Sequence, residues 1–142
     1  MYKYVNIYAD TSNKLIGVPC GKSAKRSVDV MELDIYSVLE PGYDSANAER
    51  FIEGLFDLCY TKKCHDGDKS AIEIYYNKSY STAARDLKLV TVYLMDSKIT
   101  LHPSVNEKRG RFCGLPPITI PQNYKPGELS EAFKEALNSS VK

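Results

Sequence analysis

Apolar residues recur along this chain with two different periods, and each change of period marks an element. Residues 2 to 8, YKYVNIY, set Val5 and Ile7 against Tyr4, Asn6 and Tyr8 at every second place, which predicts a first strand. Asp10 to Asn13 supply turn chemistry. KLIGVPC then predicts a short second strand stopped by Pro19 and Gly21. After the polar, basic connection GKSAKRS, residues 28 to 36 (VDVMELDIY) alternate again and predict a strand whose apolar face is Met31, Leu33 and Ile35.

The period then lengthens. Ala48, Phe51, Ile52, Leu55 and Cys59 recur at helical spacing behind Asp44 and Ser45, either of which can accept the free N–H groups of a helix start. The spacing predicts an amphipathic helix over 45–60, with Glu49, Glu53 and Asp57 on its solvated side. AIEIYY (71–76) reads as a strand, and KSYSTAARD as one or two helical turns. KLVTVYLM and KITLHPSV flank Asp96-Ser97 and predict a β-hairpin. NEKRGRFCGLPP reads as a polar loop and ITIP as a brief strand ended by Pro121. Pro126 falls where a first helical residue belongs. Leu129, Ala132, Phe133, Ala136 and Leu137 follow on one helical face, with Glu128 and Glu131 near its positive end. The expected fold class is α+β: one domain over residues 1–142, an antiparallel-rich sheet with at least two packed helices.

Bulk properties narrow the function. A net charge of +1 supplies no large field for nucleic acid or an anionic membrane. No apolar run approaches the roughly 20 residues that span a bilayer, and MYKYVNIYAD lacks the uninterrupted apolar core of a signal peptide. A cytoplasmic location is expected, with the four cysteines as thiols rather than a disulfide framework. Eleven tyrosines suit half-buried sheet faces and protein interfaces, because each buries a ring and keeps a polar tip wet. If residues 2 to 8 form a sheet edge, that edge can pair with a partner strand.

The richest chemistry lies in CYTKKCHDGD, residues 59 to 68. Cys59 continues the buried stripe of the predicted helix. Structural zinc favours paired cysteine knuckles, whereas Cys20 and Cys113 stand alone and adjacent Cys64 and His65 aim poorly at one ion. A Cys–His dyad needs an orienting third group, and none is specified. The stretch therefore reads as a helix end and an exposed loop, with no metal and no cofactor. GVPCGKS misses the phosphate-loop spacing, since three residues rather than four separate Gly17 from Gly21. His102 with Lys108, Arg109 and Arg111 offers an acid–base group beside phosphate-binding cations, but no second titrating partner. No catalytic set is assigned. A small nuclease using His102 with Arg109 and Arg111, or a nucleic-acid-binding module, remains the alternative.

The C-terminal half adds a resemblance. KSY-x₂-A, the strands KLVTVYL and KITLHPSV, the loop GRFCG, then ITIP and PGELSEAFKEAL follow one another over residues 78–139. This order resembles the immunity proteins of contact-dependent growth inhibition (the CdiI family). The resemblance implies a non-enzymatic bacterial antitoxin, acting in the cytoplasm, whose partner is the cognate C-terminal toxin domain, commonly a nuclease. It also implies no contact with nucleic acid by the immunity protein itself. Candidate toxin-binding residues are Asp66, Asp68 and Glu73, or the acidic 49/53/57 helix face, for a basic toxin. For an acidic toxin patch they are Lys108, Arg109 and Arg111.

Overall fold

A computed structural model describes residues 2–25, 29–64 and 69–142. Among them, eight strands and four helices build a curled antiparallel sheet with helices on both faces, the expected α+β class. The strands are β1 (Lys3–Ala9), β2 (Leu15–Lys22), β3 (Val30–Glu32), β4 (Ser37–Leu39), β5 (Lys88–Met95), β6 (Lys98–Lys108), β7 (Arg111–Gly114) and β8 (Ile118–Pro121). The helices are α1 (Ser45–Leu58), α2 (Ala71–Tyr76), α3 (Tyr80–Ala83) and α4 (Glu128–Ser139). Hydrogen-bonded neighbours run β3-β2-β1-β5-β6-β7, with β4 also on β2 and β8 also on β6. The tyrosine-rich β1 is thus an interior strand between β2 and β5, not the edge considered from sequence.

The period-2 pattern of β1 sorts the two faces. Val5 and Ile7 stand beside Val92 and Val90 of β5 and join the core under α1 and α4, with Ile99, Leu101, Leu129 and Phe133. Close approach of α1 needs Gly17, where a Cβ would lie 2.2 Å from Leu55 Cδ1. Tyr8, Ile16, Val18 and Leu89 form a second core with Ala71, Ile72, Ala84 and Leu87, beneath α2 and α3. The 88–105 hairpin is as expected, with Asp96 and Ser97 both at positive φ in a two-residue turn.

Five expectations change. Residues 71–76 are helical, because Ser70 and Glu73 close a capping box and Ala71 and Ile72 bury on one side. Of the expected 28–36 strand only β3 (Val30–Glu32) forms; β4 follows beyond it, and the two pair with separate halves of β2. Pro19 does not end β2: it falls between the residues paired with β4 (Leu15–Gly17) and those paired with β3 (Cys20–Lys22), where no ladder bond is lost. The 106–117 loop contains the end of β6 and β7, joined through Arg109 and Gly110 at positive φ. Pro126 precedes the helix; Gly127 is its N-cap at φ 92°.

Glu49 is a sixth correction. It is buried, and its carboxylate accepts N–H bonds from Gly127 (3.1 Å to each oxygen) and Ser130 (3.0 Å). Tyr124 donates to Glu53 next to it. Part of the supposedly solvated acidic face is the joint between α1 and α4, and only the exposed Asp57 fits the expectation without a bond across it.

Candidate functional site

The sequence candidates scatter. Cys59 is buried, as its place in the helical stripe predicts. Cys64 is buried too, contrary to the exposed loop expected: its N–H donates to Lys22 O (2.9 Å) and its carbonyl accepts from Ala24 (2.7 Å), a parallel bridge to Ser23 just past β2. His65, Asp66 and Asp68 lie outside the described residues. Lys62 pairs with Asp34 at 2.7 Å. Among the described residues, no three His, Cys, Asp or Glu side chains gather as a metal site.

His102 sits on β6 with its ring edge-on to Tyr93, centroids 5.1 Å apart. Lys108 is six residues further along the same strand, roughly 20 Å away at the ordinary strand rise. Arg109 and Arg111 lie at and beyond the turn that follows. The acid–base group and the cations are therefore not brought together. Lys108, Arg109 and Arg111 instead stand exposed at a braced hairpin tip. Tyr80 OH donates to Gly110 O (2.9 Å), Gly110 N–H donates to Asn106 Oδ1 (2.8 Å), and the Asn106 amide donates to the carbonyls of Ala84, Arg85 and Leu87. Glu73 accepts from Ser70 in the α2 cap and, among the described residues, is not bonded to this tip.

The arrangement that sequence reasoning missed lies on the second sheet face, beside the part covered by α2 and α3. Glu32 reaches from β3 across β2 to β1, where its Oε2 accepts from Asn6 Nδ2 (2.8 Å) and Tyr8 OH (2.6 Å). Thr91 of β5 donates to Asn6 Oδ1 (2.7 Å), so the network crosses to the next strand. Burial holds the Glu32 carboxyl above the ordinary glutamate range, against the lowering effect of those two bonds. Burial also raises the Tyr4 and Tyr8 hydroxyls, and the Glu32 charge raises them further. Next to the network runs a half-exposed aromatic row. Tyr2 stacks on Tyr4 (6.3 Å), Tyr4 meets Tyr93 (5.8 Å), and Tyr93 meets His102.

The alternation of Tyr4, Asn6 and Tyr8 against Val5 and Ile7 was a signal for this polar-tipped face. Glu32 carried none, since its reach depends on the curl of the sheet. A groove of about 580 Å³ between the start of α1 and α4, lined by Tyr43, Ser130, Phe133 and Lys134, has no comparable network. The one carboxylate lining it, Asp44, already caps α1 by accepting from Asn47 N–H at 2.7 Å.

No family model matches the chain, and no curated protein does. The solved structures that share its fold include the following two. One is a protein of unknown function from Neisseria meningitidis, at TM-score 0.75 and 13% identity over 99% of this chain and 96% of that one. The other is a chain of the CdiA-CT/CdiI toxin and immunity complex from Yersinia pseudotuberculosis, at TM-score 0.72 and 11% identity over 100% of this chain and 98% of that one. At these identities the likeness is one of fold, and it extends from end to end of both chains.

Proposed function

We propose that this chain is an immunity protein that binds and neutralises the cognate C-terminal toxin domain of a contact-dependent growth inhibition system. The observation that carries the reading is the end-to-end likeness to a chain of a toxin and immunity complex. It agrees with the family resemblance of residues 78–139, which rests on separate grounds. The protein performs no chemistry in this reading. It acts in the cytoplasm by covering or distorting the toxin, a nuclease in the commonest case, through a protein–protein interface. No helix of the described residues is long and apolar enough to cross a membrane.

Two surfaces suit such an interface. Tyrosine and histidine rings on a half-exposed sheet face supply large contact area at low entropic cost, the character of binding hot spots. The Lys108–Arg111 tip offers exposed rim charges that steer encounter more than they hold. The distance along β6 between His102 and the cations speaks against the nuclease alternative.

The test is calorimetry against the toxin domain encoded directly upstream of this chain's gene, with a growth-protection assay beside it. Nanomolar 1:1 binding with rescue of growth is expected. Absence of both would overturn the proposal.

A further inference from the structure

Glu32 is a half-buried carboxylate that uses one oxygen and leaves the other open. Both of its hydrogen bonds go to Oε2, and among the described residues Oε1 receives none. Nor does any described lysine or arginine form an ion pair with it, although Asp34, two residues on, has Lys62 at 2.7 Å. A desolvated carboxylate without a cation is costly to keep, and burial already pushes its pKa up. The surroundings relieve it only in part: Asn6 and Tyr8 donate to Oε2 and lower its pKa, while its charge raises the hydroxyls of Tyr4, Tyr8 and Tyr80.

Among the described residues, no helix covers this place. Helices α1 and α4 pack on the opposite face, and α2 and α3 cover only the Tyr8, Ile16 and Leu89 end. Tyr4 keeps a half-exposed ring near the carboxylate, and Tyr93 and His102 continue the half-exposed row across β5 and β6. The chemistry of a fitting occupant follows. An anionic nucleic-acid backbone would meet the Glu32 charge and gain nothing from it. A purely apolar strand would bury that charge more deeply and unpaired. A guanidinium satisfies both features, donating to the open oxygen while its plane stacks on tyrosine faces.

We propose that the uncovered half of this sheet face is a docking surface for an arginine-bearing segment of the toxin domain, with Glu32 receiving the guanidinium and Tyr4 and Tyr93 flanking it. This deepens the immunity reading and rests on it.

The test compares wild type, Glu32→Gln and Tyr93→Leu by calorimetry with the same upstream toxin domain, with thermal melts of each variant alone. Gln keeps an acceptor for Asn6 and Tyr8 but removes the charge, so Glu32→Gln should be at least as stable as wild type. Its binding should be about tenfold to a hundredfold weaker, the size of a lost charge-assisted bond. Tyr93→Leu should also weaken binding, by roughly fivefold or more. Tight binding by wild type with an unchanged Kd in both variants would overturn this inference and leave the immunity reading standing. No binding by wild type would overturn the immunity reading and this one with it. Concentration-dependent self-association of wild type, abolished in Glu32→Gln, would assign the face to a second copy of the chain and also overturn the inference.

Discussion

Replacing Glu49 with alanine tests whether α4 is held by a carboxylate borrowed from α1. Gly127, the N-cap of α4, has no side chain to accept the helix's first N–H groups, and Glu49 takes two of them, from Gly127 and Ser130. Alanine leaves both donors without that acceptor in a buried joint. Loss of an N-cap costs about 1–2 kcal/mol, and loss of negative charge at a helix start adds about 0.5 kcal/mol. Charge-assisted bonds stand at the upper end of the hydrogen-bond range, so the expected loss is about 2–3 kcal/mol. With an unfolding entropy near 2.1 cal/mol/K per residue, this lowers Tm by roughly 7–10 °C. Urea melts give the free energy, and amide hydrogen exchange locates it: Gly127 and Ser130 should lose protection first. Asp57→Ala, on the exposed part of the same helix, should stay within about 0.5 kcal/mol of wild type. Equal small effects of Glu49→Ala and Asp57→Ala would refute the joint and restore the solvated acidic face.

Three further outcomes follow from the same geometry. Gly17→Ala should destabilise by about 1–3 kcal/mol in urea melts, since its Cβ would stand 2.2 Å from Leu55 Cδ1 and the buried Leu55 must repack; a neutral result would mean that Leu55 is not seated there. Glu32 has a folded-state pKa above its unfolded value, so its contribution to stability is present at low pH and lost as pH rises through the raised value. The surrounding tyrosines titrate far higher. The Tm advantage of Glu32→Gln should therefore be near zero at about pH 4 and grow toward neutral pH, whereas a pH-independent difference would contradict the desolvation argument. Finally, iodoacetamide on the folded protein should modify Cys113 before the buried Cys20, Cys59 and Cys64, as read by mass spectrometry. Because the nearby Glu107 carboxylate raises the Cys113 pKa and lowers its thiolate fraction, Glu107→Gln should speed that reaction.

Elements whose local pattern and tertiary burial agree were legible in the sequence. The α1 and α4 stripes and the hairpin around Asp96-Ser97 needed only periodicity and turn chemistry. Residues 71–76 misled because isoleucine and tyrosine favour strands, while the opposing signal, Ser70 three places before Glu73, is a capping box that outweighs them once Ala71 and Ile72 have a core to enter. Pro19 looked like a stop because proline removes a ladder donor, yet whether a donor is needed depends on which strands flank β2, and no local pattern specifies that. The candidate site was legible in part. Its tyrosines and Asn6 alternate in plain view, but the arrival of Glu32 from a three-residue strand two positions across the sheet follows from curl and register alone.

Glu49 and Glu32 together show how this fold divides its carboxylates. Each is drawn from the surface into a joint between elements, and each accepts bonds from two groups of the chain. Glu49 uses both oxygens at the start of a helix, where the backbone N–H groups and the helix dipole supply positive character, so the chain completes its surroundings without a cation. Glu32 uses one oxygen among tyrosines, with neither a helix start nor a basic side chain bonded to it in the described structure. A protein under pressure for stability alone would gain from an uncharged residue at position 32. In the docking proposal a partner supplies the missing donor, which makes Glu32, rather than the better-formed Glu49, the position to test.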